Sequence, residues 1–325
     1  MIALLLLLAA PAPSADWAAF AEARSGECVG PAGSLAAPIE LTAGTRRYRL
    51  EGDRLIEVGN DADKTLSIGV ISALKDSRDE TLAQARALIA RLGKIDVLIA
   101  NGDLATNLFE LQKVLPMLAE TNALVVVITG NTESCGAFNQ AAQEVFATHK
   151  NFINGNWVRR LELDDGTLIT LPGYYDRRFT HTGGAAHYDE KDLEFTRDLT
   201  RDAPGPMVLV SHGPPKGETK VGIDVATDVG NVGDPAMTTL MTDAKMSFGI
   251  FGHILEAGGR ATDPLGKTAR APGKWHPSLI VNAGTANPDP WSMLGGGTAY
   301  GMALKFELEP KRAKYSVERA AKPKD

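Results

Sequence analysis

Residues 124–131 read LVVVITGN, and this segment is the most informative part of the sequence about the fold. Its first part is so apolar that it predicts a strand buried on both faces, as in a parallel sheet covered by helices. Residues 96–103, DVLIANGD, repeat the plan with a shorter strand, and residues 108–118 between the two have the spacing of a helix. Strand and helix therefore alternate, which is typical of α/β folds.

The same alternation extends outward in both directions. Toward the N-terminus we predict a hairpin of residues 47–51 and 55–58, a strand over 66–72, and a helix that starts at a capping box over 77–80. Toward the C-terminus follow a helix over 138–146, a hairpin of 157–163 with 167–171, and a helix over 235–242 that Asp234 caps. Further strands are predicted over 207–211, 247–251, 278–282 and 302–308. These elements favour two packed sheets with helices outside.

Composition excludes several classes of protein. Of the 325 residues, 44% are hydrophobic and 23% are charged, which excludes a disordered or collagen-like chain. Lys and Arg number 34 against 40 Asp and Glu, and the net charge of −6 argues against a nucleic-acid-binding surface. Two cysteines are too few for a disulfide scaffold or a cysteine-rich zinc fold.

The N-terminus has the pattern of an export signal. Residues 2–10 are apolar, too few to span a bilayer, and small residues and prolines follow them. We expect a signal peptide over residues 1–15, an irregular segment over 16–45 and one domain over 46–325, in a periplasmic or secreted protein. The segment lacks Lys and Arg, so a misplaced start or a frayed tail stays the alternative. No later stretch predicts a membrane span.

The two cysteines, Cys28 and Cys135, allow two interpretations. In an oxidising compartment a bridge between them would tie the N-terminal segment to the core. Two unpaired thiols are equally compatible with the sequence, because spacing alone does not define the geometry that a disulfide needs.

Polar residues follow several of the predicted strands directly. They are Asp103, Asn131, His212 and His253, each beside a glycine. In α/β sheets ligands bind in the crevice beyond the carboxyl ends of the strands. A single residue of this kind would indicate only a turn, but the series of carboxylate, amide and two imidazoles predicts a ligand site.

Taken in order, these motifs resemble those of the calcineurin-like metallophosphoesterases. The motifs are GD at 102–103, GN at 130–131, SHGPP at 211–215, FGHILEAGG at 251–259 and NAG at 282–284. The resemblance covers about residues 66–308 and implies a four-layer α-β-β-α sandwich, two mixed sheets flanked by helices. It also implies hydrolysis of a small-molecule phosphate mono- or diester. Asp103, Asn131, His212 and His253 would bind one divalent transition metal, of which Mn, Fe, Zn and Ni all suit such ligands.

The family's other metal site is not matched in this chain. Its D-x-H motif aligns with Ala73 and Lys75, its further histidine with Leu255, and its GNH histidine with Thr132. The lysine charge offsets part of the missing ion, so Lys75 is predicted to act in catalysis with Asp103 and Asn131, and to bind phosphate. A solvated loop lysine is the alternative for Lys75. An inactive metallophosphoesterase-fold binding protein, a pseudoenzyme, is the alternative for the whole chain.

Two arginines complete the predicted site. Arg177 and Arg178 follow the strand over 167–171, and paired arginines bind phosphate bidentately. We predict that they bind substrate, with an exposed charged loop as the alternative. The sequence does not indicate an oligomeric state.

Overall fold

The computed structural model describes residues 15–31, 33–293 and 296–321. The predicted signal peptide, apart from Ala15, lies outside the described residues. The helices are α1 (Ala15–Ala23), α2 (Asp79–Arg91), α3 (Leu108–Ala119), α4 (Cys135–Thr148), α5 (Glu190–Leu199) and α6 (Pro235–Asp243). No described helix is long and apolar enough to cross a bilayer.

The strands follow in chain order. They are β1 (Ile39–Ala43), β2 (Arg46–Glu51), β3 (Arg54–Glu57), β4 (Leu66–Ile71), β5 (Val97–Asn101), β6 (Leu124–Ile128), β7 (Phe152–Asn154), β8 (Arg160–Leu163), β9 (Gly166–Leu171), β10 (Met207–Ser211), β11 (Val225–Ala226), β12 (Gly230–Asn231), β13 (Phe248–Phe251), β14 (Ala261–Thr262), β15 (Leu279–Asn282), β16 (Trp291–Ser292), β17 (Thr298–Ala299), β18 (Met302–Glu309) and β19 (Arg312–Arg319).

Two large mixed sheets contain most of these strands. One has the order β19-β18-β4-β5-β6-β7, with β4 to β7 parallel and β18 running antiparallel to both β4 and β19. The other has the order β1-β2-β3-β8-β9-β10-β13-β15-β14, with a parallel centre from β9 to β15. Two short ribbons, β11-β12 and β16-β17, stand apart from the sheets.

Alternate residues of the central strands face two different cores. In β10, Val208 and Val210 belong to the core shared with the six-stranded sheet, whereas Leu209 packs with residues of α5 and α6 such as Leu193 and Met237. This period of two places a sheet on one side of β10 and helices on the other. On the far side of the molecule, α2 packs on β4 and β18, and α4 packs on β7. The predicted four-layer α-β-β-α sandwich is therefore confirmed.

Side-chain N-caps explain the starts of four of the six described helices, α3 to α6, whereas α2 lacks one. Asn107 caps α3, Ser134 caps α4 and Asp234 caps α6 through their side chains, as these residue types usually do. The capping box predicted over 77–80 is wrong, because Arg78 is the N-cap of α2 and makes no side-chain cap hydrogen bond. Next to this helix start, Asp76 accepts hydrogen bonds from the Arg78 amide and the Thr81 hydroxyl.

The segment over 16–45 is not irregular throughout, which corrects the prediction. It contains helix α1 and strand β1. Trp17 is buried and stacks on Phe146 of α4 with ring centroids 4.3 Å apart. A disulfide joins Cys28 to Cys135, whose Cα atoms are 5.5 Å apart. In both contacts the two partners are more than 100 positions apart in the chain, so no local sequence pattern predicts them.

Candidate metal centre

The chain brings four polar side chains together where the two sheets meet. Asp103 lies two residues beyond β5 and Asn131 three residues beyond β6, in the six-stranded sheet. His212 lies directly after β10 and His253 two residues after β13, in the nine-stranded sheet. Because each strand runs parallel to its partner, the carboxyl ends of each pair lie at one edge of their sheet.

The ligand atoms of these side chains are in mutual contact. His212 Nε2 lies 2.9 Å from Asn131 Oδ1 and 3.2 Å from Asp103 Oδ1. His253 Nδ1 lies 3.1 Å from Asn131 Oδ1 and 3.3 Å from His212 Nε2. Asp103, His212 and His253 can each offer one ligand atom to a common ion. All four side chains are buried or nearly so, which excludes water from much of the cluster.

Hydrogen bonds outside the cluster orient its atoms. The Asn101 carbonyl lies 2.9 Å from His212 Nδ1, and because a carbonyl only accepts, Nδ1 donates to it, so Nε2 is the ring nitrogen that can offer a lone pair inward. Asn131 Nδ2 donates to the Phe179 carbonyl, so the amide oxygen also faces inward. A lone pair, an amide oxygen and a carboxylate oxygen thus point at one another. A cation between these atoms would offset the repulsion among the converging acceptors, so these residues fit a metal ion.

Electrostatics favour the unprotonated ligand forms. Burial opposes ionisation of Asp103, but the nearby His212, His253 and Lys75 outweigh it and hold the pKa of the carboxyl below its usual range. Burial is the main cause that lowers the pKa of His253 to about 3. Imidazole binds metals only as the neutral ring, which His253 therefore keeps at any physiological pH.

The backbone is strained at the same place. Ala73, Lys75, Asp103 and His253 have φ values of 49°, 68°, 56° and 63°, in the left-handed region that favours glycine. They are four of the seven non-glycine residues with positive φ among those described. Such strain persists where surrounding structure enforces it, and it concentrates at functional sites.

The sequence over residues 68–257 matches the family model of the calcineurin-like phosphoesterases. This match spans more than half of the chain. The chain belongs to the calcineurin-like phosphoesterase family. Comparison with curated protein sequences finds no significant match.

Three solved structures are similar to this chain. One crystal structure, 16% identical, superposes with a TM-score of 0.56 over 78% of this chain and 99% of the other. TT1561 of Thermus thermophilus is 12% identical with a TM-score of 0.48, over 78% and 98% of the two chains. GAP50, the anchor in the inner membrane complex of Plasmodium, is 8% identical with a TM-score of 0.48, over 78% and 84%. At this identity the first comparison shows the fold alone.

The positions that align with the family's other metal site carry no ligand set in this chain. Ala73 and Leu255 are buried and apolar. Thr132 donates a hydrogen bond of 3.1 Å from its hydroxyl to Asp103 Oδ1. The Lys75 side chain is exposed, and its Nζ lies 5.4 Å from the centroid of the Trp291 ring. Within the described parts of the chain, no carboxylate forms a salt bridge with Lys75.

The two predicted arginines are not brought onto the metal centre. Both lie in a short 3₁₀ turn, Arg177–Phe179, beside Asn131. The Arg178 side chain is 83% exposed and forms hydrogen bonds of 2.5 to 3.1 Å to the Asp176 carboxylate. Arg177 is exposed and lines a surface cavity beside the disulfide. Phosphate binding by either arginine stays a prediction.

Two further residues of this site were not predicted from the sequence. The buried Tyr174 ring lies against the imidazole of His253, with centroids 4.1 Å apart. Glu133 accepts hydrogen bonds from the amides of Leu104 and Gly130, and burial, followed by the charge of Asp103, raises its pKa to about 7. Glu133 follows the GN motif by two residues, so its position offered a signal, whereas nothing local points to Tyr174.

Proposed function

We propose that the protein is a metal-dependent phosphoesterase that hydrolyses a small-molecule phosphate mono- or diester with one divalent transition metal. Asp103, Asn131, His212 and His253 would hold the ion. The observation that carries the proposal is the convergence of acceptor atoms from these four side chains, with His212 and Asn131 oriented from outside. The nitrogen and oxygen ligands suit Mn, Fe, Zn or Ni.

A bound divalent ion supplies positive charge to a phosphoryl oxygen and makes water more acidic. Hydrolysis breaks the ester P–O bond, forms a bond from phosphorus to a water oxygen, and leaves one water proton on the departing alcohol. The buried Asp103 carboxylate gives the site its negative charge, and the hydrogen bonds to Asn101 and Phe179 keep His212 and Asn131 in their binding orientations.

We propose that the positive charge of Lys75 replaces part of the charge of the missing second metal ion. Its ammonium group is exposed at the edge of the cluster and acts electrostatically on Asp103 and His253. A lysine there binds a phosphate oxygen as a point charge. Ala73 also removes one carboxylate relative to the family motif, so loss of a divalent ion leaves the local charge balanced.

A non-catalytic binding protein is the second candidate. The apolar Ala73 and Leu255 favour it, because two-metal hydrolysis needs ligands at those positions and Thr132 offers no ionisable group. Such a protein would keep the metal and a phosphate ligand without turnover. The two candidates therefore share metal binding and differ in catalysis.

One sample distinguishes them. Metal content is measured together with hydrolysis of a phosphate monoester and a phosphate diester. About one metal per chain with turnover supports the phosphoesterase, and metal without turnover supports the binding protein. Asp103→Ala, His212→Ala and His253→Ala should each lower metal affinity by more than about 100-fold, because ligands contribute more than their outer hydrogen-bond partners.

A matched control uses a histidine outside the cluster. His276 Nε2 lies 3.0 Å from the Ala271 carbonyl, and His276→Ala should leave metal affinity unchanged. Unchanged affinity in all three ligand variants would show that the metal binds elsewhere. A purified protein without metal affinity would refute both candidates as stated.

We also propose that the protein works in the periplasm or outside the cell. The disulfide between Cys28 and Cys135 supports this, because disulfides persist in oxidising compartments. Fractionation of cells that express the chain with its native N-terminus tests the proposal. Recovery of the uncleaved chain from the cytosol would contradict it.

A further inference from the structure

Two exposed aromatic side chains lie near the metal centre, Phe179 in the 3₁₀ turn that contacts Asn131 and Trp291 on the short strand β16 beside Lys75. Phe179 is 48% exposed and Trp291 is 47% exposed. The carbonyl of Phe179 accepts the hydrogen bond from Asn131, and the ring of Phe179 lies 6.2 Å from Tyr174, which packs on His253. Exposed aromatic rings beside a polar site indicate a ligand with an apolar surface of its own.

Trp291 is held beside Lys75 by contacts of the preceding segment. The Thr285 hydroxyl donates to the Ala73 carbonyl at 2.8 Å, and Asn287 Nδ2 donates to the Leu74 carbonyl. Arg78 and Asp289 form a salt bridge of 2.9 Å. The segment over 285–289 thus runs along the loop over 73–78 before the chain reaches Trp291.

The pair of Lys75 and Trp291 combines two kinds of recognition. The Lys75 ammonium group is 5.4 Å from the Trp291 ring centroid, within the range of a cation–π contact. In the described part of the chain it forms no salt bridge with a carboxylate, so its charge is free for an anion. The exposed indole offers a flat surface to a planar ring, and stacking on such a surface tolerates any ring with a π face.

We propose that the centre takes phosphate esters whose leaving group carries a planar aromatic ring. The ring stacks on Trp291 while Lys75 meets the phosphate. The inference rests on the proposed function, because it assumes that the phosphate reaches the metal ligands. An aryl group and a nucleobase share this chemistry, and the substrates used below distinguish them.

Binding of two probes to the Mn²⁺-loaded protein tests the proposal. Phenylphosphonate carries the ring, methylphosphonate does not, and neither has an ester bond to hydrolyse. Titration calorimetry should show that phenylphosphonate binds more tightly. Trp291→Leu should reduce the ratio of the two affinities by about 5- to 20-fold, in line with the loss of one stacking partner. Trp291→Phe keeps a ring and should reduce it less than about three-fold, because a phenyl ring still stacks.

Two further variants separate the ring from the charge. Lys75→Met should weaken both probes by the same factor and leave their ratio within about two-fold, because a point charge acts on the phosphonate that the probes share. The matched control is Trp275, another tryptophan beside basic side chains: its ring centroid lies 4.7 Å from Arg312 Cζ and 4.7 Å from Lys314 Nζ, and both basic residues belong to strand β19. Trp275→Leu should leave the ratio unchanged.

Turnover identifies the source of the ring. The kcat/KM values of phenyl phosphate and adenosine 5′-monophosphate are compared with that of glycerol phosphate. Of the three kcat/KM values, Trp291→Leu should lower that of the preferred aromatic substrate most. If Mn²⁺ binds but the affinity ratio stays near one, or does not respond to Trp291→Leu, the inference is wrong and the proposed function stands. If the protein binds no metal, the proposed function fails and the inference fails with it.

Discussion

Gly213→Ala should weaken metal binding although residue 213 offers no ligand. Gly213 directly follows His212, and a Cβ atom there would lie 2.6 Å from both Cδ2 and Cε2 of Tyr174. The Tyr174 ring in turn lies against His253. The added methyl group therefore presses on the ring that packs against His253, one of the proposed metal ligands.

The size of the effect follows from these distances. Ordinary van der Waals contact begins near 3.4 Å, so the Tyr174 ring or the backbone at 213 must shift by about 1 Å. Overpacking of this kind lowers the free energy of unfolding by about 1–3 kcal/mol. Substitution of groups that orient metal ligands lowers metal affinity by about 10- to 100-fold, and we expect that range here.

Competition with a chelator measures the affinity, and urea unfolding measures the stability. Gly136→Ala is the matched control, since a Cβ at that helical glycine of α4 meets nothing within 4 Å. It should leave affinity unchanged and stability equal or higher. Tyr174→Leu combined with Gly213→Ala should bind metal better than Gly213→Ala alone, because the smaller side chain removes the clash.

Unchanged metal affinity in Gly213→Ala would show that packing on Tyr174 does not position the proposed ligands. The same holds if the double variant binds metal no better than the single one. Loss of affinity in Gly136→Ala as well would indicate a general effect of stability on binding.

Two predictions concern stability. The disulfide between Cys28 and Cys135 spans 107 residues, so replacing both cysteines by serine should lower the free energy of unfolding, measured in urea, by about 3–5 kcal/mol. Dithiothreitol should lower the free energy of unfolding of the parent protein by a similar amount and leave that of the variant unchanged. Burial, and then the charges of Asp164, Asp61 and Asp63, raises the pKa of Asp165 to about 6. The folded state therefore binds the proton more tightly, and stability is lost as the pH rises from about 4 to 6. Asp165→Asn should be more stable than the parent at pH 7 and gain nothing at pH 4, and an equal gain at both values would contradict this assignment.

The sequence alone predicted the central strands of both sheets and the positions of the four proposed ligands, but not the edge strands β1, β7, β14 and β19. Runs such as residues 124–128 are apolar enough to be buried wherever they lie, and β6 is buried along its whole length. Strand ends in a parallel sheet converge, so Asp103, Asn131, His212 and His253 could be assigned to one edge before any distance was known. The structure then placed their ligand atoms in contact.

The surroundings of that edge depend on contacts between distant parts of the chain. Trp17 orders the N-terminal segment by packing on Phe146, Tyr174 reaches His253, and Lys75 meets Trp291. Arg178, predicted to bind phosphate, pairs with Asp176. Burial and strand ends can be predicted from the sequence because they depend on the pattern of apolar and polar residues within each segment. Contacts between residues far apart in the chain cannot be predicted in this way, because they depend on how the layers of the sandwich pack against one another.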